Sequence, residues 1–258
     1  MNKTALIIGG GTGIGKCSAI KLAEEGYSIA IVYNSSAAPA EAVKQDILKT
    51  GVDCEIFQAD VSDDARCREV FSKIEERFGR IDTLVSCAGT TKYIKFRDLD
   101  AATDEVWEKL LKVNLIGSFH CCREAARIMK KNGGGSIVLV ASTAGVKASG
   151  SSIPYGASKA ALIHTAKGLA MALAPEIRVN TVSPGIVTGT AWHRDNPDFD
   201  AAAADAKESL SIPLGYVTRP EEVADAIVFL ATEKSSNITG VDLVLDGGRK
   251  EVQNGQIY

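Results

Sequence analysis

The sequence predicts an α/β protein: a doubly wound, seven-stranded parallel sheet with helices on both faces. Three observations carry this. Seven short runs rich in Val, Ile and Leu recur along the 258 residues, and they are near-continuous rather than alternating, as strands buried on both faces must be. Segments of helical period separate the runs, which is the alternation that builds a parallel sheet. A glycine cluster joins the first run directly to the first helical segment.

The elements follow in order. TALIIG at 4–9 leads through GGGTGIG into KCSAIKLAEEG, and SIAIVY at 28–33 and CEIFQA at 54–59 are the next two strands. Val70, Ile74 and Phe78 then recur every four residues on one helix face, before DTLVSC at 82–87. SIVLVAS at 136–142 and IRVNTVS at 177–183 flank an alanine-rich helix, 156–174. Ala224, Ile227, Val228 and Ala231 repeat the i, i+3, i+4, i+7 pattern ahead of VDLVLD at 241–246. The longest irregular piece, 184–219, has the length of a functional loop, and DAAAADAKESL within it has the residues for a short helix. No linker, repeat or low-complexity tract divides the chain, so 1–258 reads as one domain.

Composition excludes several functions. A net charge of −3 gives no electrostatic reason for nucleic-acid or membrane binding. No apolar run approaches the roughly 18 residues of a membrane span, and MNKTALIIGGGTGIG is too short in its apolar part for an export signal, so a cytoplasmic protein is expected. Cysteines 17, 54, 67, 87, 121 and 122 form no CxxC pair and read as reduced, partly buried thiols. His120 beside Cys121 and Cys122 does not make a metal site, because adjacent helical residues point in different directions; no metal is expected.

The chemistry starts at the glycine cluster. Strand, glycine-rich turn and helix bring the backbone close to a pyrophosphate and supply helix N-terminal N–H groups to it. The spacing here is Gly9-x3-Gly13-x-Gly15. After the second strand, the acidic residue that normally binds the adenosine ribose of NAD is missing until Glu41. Tyr33, Asn34, Ser35 and Ser36 stand there instead, neutral donors that can face a 2′-phosphate, so NADP(H) is favoured over NAD(H). The nearest base in sequence is Lys16.

GGGTGIG, ADVSD (59–63), CAG (87–89), KVN (112–114), VASTAG (140–145), YGASK (155–159) and SPGIVTGT (183–190) occur together, in order. As a set, and over essentially the whole chain, they resemble the short-chain dehydrogenase/reductase family and its Rossmann-type fold, with the nearest look to the 3-oxoacyl-carrier-protein reductase branch. The resemblance implies that Asn114, Ser142, Tyr155 and Lys159 are catalytic. It implies that Gly9, Thr12, Gly13, Ile14 and Gly15 hold the pyrophosphate, and that Asp60 and Val61 contact the adenine. Ala88 and Gly89 would line the cofactor, as would Tyr155 and Lys159, and Pro184, Gly185, Val187 and Thr188 would hold the nicotinamide end. Two positions depart from the family pattern. Ile8 replaces a threonine or serine, and SCAG replaces NNAG, so that Ser86 is expected to satisfy backbone groups with a shorter reach than asparagine.

The physics of these residues stands independently. A tyrosine four residues before a lysine is a weak signal alone, since chance supplies one about every other time in such a chain. Tyr155 and Lys159 at i, i+4 share a helix face, and an ammonium about 4 Å from the phenol, at an effective dielectric near 20, favours the phenolate by up to about 4 kcal/mol. Tyr155 then acts as general acid/base beside hydride transfer. Ser142 is placed to hydrogen-bond the substrate oxygen, and Asn114 to fix a water linking Lys159 to solvent.

An NADP(H)-dependent carbonyl reductase acting on a small carbonyl or secondary alcohol is the expectation; an NAD-linked alcohol, sugar or steroid dehydrogenase is the alternative, and an inactive dinucleotide-binding sensor or scaffold the last. A substrate lid is expected at about 189–216, with Trp192, Phe199, Leu210, Ile212 and Tyr216 as apolar walls and His193 and Arg194 solvated. The resemblance implies that a carrier protein docks on basic residues near two helix ends; Lys130 and Lys131 end one, but the other ends MALAPE without a base, which disfavours that partner. The small-residue helix 156–174 calls for contact on more than one side and predicts a homo-oligomer, a tetramer by resemblance.

Overall fold

The computed structural model describes residues 2–190 and 201–249. Seven parallel strands run β1 Thr4–Ile8, β2 Ser28–Tyr33, β3 Cys54–Gln58, β4 Thr83–Ser86, β5 Gly135–Val140, β6 Ile177–Pro184 and β7 Asp242–Leu245, in the order β3-β2-β1-β4-β5-β6-β7. The order reverses between β1 and β4, the switch point outside which an open α/β sheet opens its crevice.

Every residue of β1 is buried, because its alternate side chains feed two cores. Leu6 and Ile8 join the side chains of α3 (Asp64–Phe78), α5 (Ser118–Lys131) and α6 (Ile153–Leu173), among them Phe71, Ile74, Met129 and Leu162. Ala5 and Ile7 join α1 (Gly13–Glu24), α2 (Ala37–Leu48) and α8 (Pro220–Ala231), among them Leu22, Val43 and Ile227. The predicted periods thus face the sheet: Val70 and Ile74 are buried with Phe78 packed beside them, and Ala224, Ile227, Val228 and Ala231 are all buried.

Three local features position the site. α4 (Asp104–Leu111) runs into α5 through a π-helical turn, Lys112–Gly117, which contains Asn114. β5 stops at Val140, two residues before the predicted end, because Ser142 caps a 3-10 turn, Thr143–Gly145, by accepting from the Ala144 N–H at 3.1 Å. α6 starts at Ile153, with the Ser152 hydroxyl capping the Tyr155 N–H at 3.3 Å and Pro154 in the first turn, where its missing N–H costs nothing. The short helix expected in the irregular segment is α7, Ala201–Ser209. Among the described residues no helix is long and apolar enough to cross a membrane.

Candidate active site

A cavity of about 1190 Å³ opens at the C-terminal ends of β1, β2, β4, β5 and β6, at the switch point. It is lined by Gly9, Thr12, Gly13, Ile14 and Gly15, by Tyr33, Asn34, Ser35 and Ser36, by Asp60 and Val61, by Ala88 and Gly89, and by Pro184, Gly185 and Val187. Ser142, Tyr155 and Lys159 line it as well, so residues spread over most of the chain meet in one space. Two expected residues do not line it. Asn114 is fully buried behind the wall, and the Thr188 hydroxyl is turned to the carboxylate of Asp205 on α7.

The glycine turn fits a dinucleotide. Gly13 has φ of +51°, and a Cβ on Gly15 would stand 2.2 Å from the Gly9 carbonyl oxygen, so this tight turn into α1 admits only glycine there. Beyond it the corner after β2 is neutral. Ser36 is the N-cap of α2, yet its hydroxyl makes no capping bond, and Lys16 does not line the cavity. An acceptor-rich group there meets hydroxyls and the N-terminal end of a helix, with no carboxylate among Tyr33, Asn34, Ser35 and Ser36 to repel it. Asp60 spends one carboxylate oxygen on the Ser62 N–H at 2.9 Å.

Tyr155 and Lys159 are 6% and 3% exposed. Burial dominates both. It pushes the Tyr155 phenol well above its ordinary range, against a hydrogen bond from Ser142 that favours the phenolate and with the neighbouring Tyr93 adding to the rise. It lowers the Lys159 ammonium to about 8, with Cys87 opposing. The ammonium donates to the Val140 carbonyl at 2.9 Å and stands 6.0 Å from the phenol ring centre. The shared face expected from the spacing is present, and burial moves the phenol opposite to the expected depression.

Asn114 is a three-bond brace. Its Oδ1 accepts from the Thr90 N–H at 2.8 Å, and its Nδ2 donates to the Thr90 carbonyl and the Ser158 hydroxyl, both at 3.0 Å. It ties the loop after β4 to α6 one residue before Lys159. Ser86 departs from expectation: its buried hydroxyl has no hydrogen-bond partner among the described residues, because a serine at the end of a fully buried strand is too short to reach one. Of the expected lid residues, Trp192, His193, Arg194 and Phe199 lie outside the described residues. Leu210, Ile212 and Tyr216 do not line the cavity; Ile212 packs on Gly247, while Leu210 and Tyr216 face solvent, the latter beneath Arg219.

Sequence reasoning missed the outer wall: Tyr93, Lys109, Lys147, Ser149, Ser151, Glu208 and Arg249 line the cavity. No motif marks them, because they come from loops, α4, α7 and the segment after β7. Cys87 lines the cavity and the other cysteines sit apart from it: the thiols are free, Cys67 and Cys121 approach to 4.0 Å in the core, and His120 is held by the Val61 carbonyl at 3.1 Å.

Comparison with known proteins points the same way. The sequence profile of a family described as enoyl-(acyl carrier protein) reductase matches residues 9–250. A protein of the granaticin polyketide synthase of Streptomyces violaceoruber, provisionally named ketoacyl reductase 2, is 38% identical over 244 residues, covering 95% of this chain and 94% of its own. The 3-oxoacyl-(acyl-carrier-protein) reductase FabG of Staphylococcus aureus is 34% identical over 253 residues, 96% of this chain and 98% of its own. A crystal structure from Burkholderia xenovorans, provisionally assigned as a short-chain dehydrogenase/reductase, superposes with a TM-score of 0.88 at 34% identity, covering 96% of this chain and 97% of that one.

Proposed function

The chain belongs to the short-chain dehydrogenase/reductase family of oxidoreductases, and on that premise we propose that it is an NADP(H)-dependent carbonyl reductase with Tyr155 as general acid/base. The observation that carries the reading is the single cavity in which the glycine turn, the neutral Asn34–Ser35–Ser36 corner and the hydrogen-bonded Ser142–Tyr155 pair meet beside Lys159.

A bound dinucleotide supplies the hydride. The protein's own residues manage the proton and the charge. Ser142 is already hydrogen-bonded to Tyr155, so an oxygen placed between them receives two donors as negative charge develops on it. Tyr155, kept a phenol by burial, is in the protonation state that donates in the reductive direction. Lys159 carries positive charge at neutral pH and is anchored to Val140, which holds it beside the phenol as Tyr155 gives up its proton. Asn114 positions this group through Thr90 and Ser158. Both of its amide hydrogens are spent on protein acceptors, so a relay water could be held only by a remaining lone pair of Oδ1 or by the main-chain carbonyl.

The cofactor preference rests on the missing acid after β2 and on the uncapped N-terminus of α2. Oligomerisation, a homotetramer in this reading, is supported by Met171 on α6, 85% exposed, and by exposed Ile116 and Phe119 near the start of α5. Lys131 is paired with Glu75 at 2.6 Å, which supports a free small-molecule substrate over a docked carrier. The test is turnover followed at 340 nm with NADPH and NADH against a panel of carbonyl compounds, for the wild type and Tyr155→Phe. Loss of at least ~100-fold in kcat with cofactor binding retained is expected; unchanged turnover in Tyr155→Phe defeats the mechanism.

A further inference from the structure

Outward from Ser142 and Tyr155, away from the glycine turn, the cavity wall is built from the loop after β4, the 146–151 segment, α7 and the residues after β7. The polar side chains it presents are Tyr93, Lys147, Ser149, Ser151, Glu208 and Arg249, with Ala148 beside them. The wall is also held in place. Lys147 donates to the Asp246 carboxylate at 3.0 Å and to the Arg249 carbonyl at 2.7 Å, and Asp246 accepts from the Gly248 N–H at 3.0 Å. Arg249 pairs with Glu208 at 2.5 Å. Ser151 is bonded to the Thr91 hydroxyl, and its carbonyl accepts from the Ile94 N–H at 2.9 Å.

Two features of this wall define its ligand. First, its charges are internally matched: Lys147 with Asp246, and Arg249 with Glu208, while Lys109 at the rim is exposed to water. Among the described residues the inner wall leaves no unpaired charge for an ionic substrate, the surplus being Lys109 in water at the rim. Second, it keeps donors and acceptors in hand. An ammonium has three N–H groups and Lys147 spends two on Asp246 and Arg249, while the Glu208 carboxylate, which can accept about four hydrogen bonds, takes Arg249 at Oε2. An acyl chain laid against them leaves these groups dry and unpaired, whereas hydroxyls, which donate and accept, satisfy both kinds.

We infer that the carbonyl compound reduced at this site is a neutral, polyhydroxylated small molecule, a ketose- or aldose-like compound, with Lys147 and Glu208 as specificity-determining residues. The inference rests on the proposed carbonyl reductase activity and narrows its substrate. The test uses the full chain with NADPH and three probes: erythrulose, 2-pentanone, and an acetoacetyl thioester of N-acetylcysteamine. Erythrulose exceeds 2-pentanone in kcat/KM by about tenfold or more, and Lys147→Met cuts that ratio by about tenfold. Glu208→Gln, which keeps shape and the capacity to bond Arg249, lowers the same ratio and guards against a Lys147→Met protein that fails to fold. Preference for 2-pentanone or the thioester, or a ratio unmoved in both variants, overturns the inference and leaves the reductase reading standing. No turnover of any probe with either cofactor overturns the reductase reading and the inference with it.

Discussion

Lys159→Met tests the energetics of the site separately from its chemistry. Lys159 is 3% exposed, and burial lowers its ammonium from 10.5 to about 8. That fall corresponds to about 3 kcal/mol spent on keeping a buried charge at neutral pH. The substitution removes the charge but also the donor to Val140, and an unpaired buried carbonyl costs about 1.5 kcal/mol. The balance is a gain of roughly 1.5 kcal/mol at pH 7, or about 3–6 °C in Tm for a chain of this size, alongside a loss of turnover.

The pH dependence fixes the cause. Below pH 8 the lysine is protonated in both folded and unfolded chains, and its full cost is present. Between pH 8 and 10.5 the folded state sheds the proton first, so wild-type stability rises with pH through this group. By pH 10 less than about 1 kcal/mol of the cost is left, and the missing hydrogen bond makes the variant the less stable protein. Cys87, the other group coupled to Lys159, is itself pushed up to about 12 and stays protonated across that window. Thermal unfolding of cofactor-free wild type and variant by calorimetry at pH 7 and pH 10 reads the crossover. A variant less stable at pH 7, or a Tm gap unchanged between the two pH values, refutes the reasoning.

Three further outcomes follow from single contacts. Gly15→Ala drives a Cβ to 2.2 Å from the Gly9 carbonyl, so the turn must open; titration calorimetry should show cofactor affinity down at least ~100-fold with α1 still folded by circular dichroism. Ser86→Ala removes a buried hydroxyl that lacks a partner and raises stability by up to about 1 kcal/mol in urea melts; a loss above about 1 kcal/mol means that the hydroxyl is satisfied. Burial pushes the thiols of Cys54, Cys87 and Cys122 up to about 12, so iodoacetamide at pH 7.5 leaves them unmodified by mass spectrometry in the native protein and labels them in urea, although Cys87 lines the cavity.

How much of this is legible in the sequence depends on whether a property is local or set by depth. The sheet is legible because burial on both faces leaves its mark in the strand itself: Leu6 and Ile8 serve one core, Ala5 and Ile7 the other, and no polar residue interrupts them. The cofactor side is legible because a glycine turn is a backbone requirement, visible wherever Gly13 and Gly15 must stand. The outer wall is not, since Tyr93, Lys147, Glu208 and Arg249 are brought together only by the strand order, with no spacing to mark them. The Tyr155–Lys159 pair lies between these cases. Its spacing specifies a shared helix face, but the sign of its electrostatics depends on burial that spacing does not encode. Attraction alone makes Tyr155 a base; burial of both groups makes it a phenol beside a weakened ammonium. A phenol is the proton donor that carbonyl reduction requires, whereas alcohol oxidation must first ionise it at a cost the fold has raised. The depth of the pair, rather than its spacing, thus sets the protonation state in which it rests.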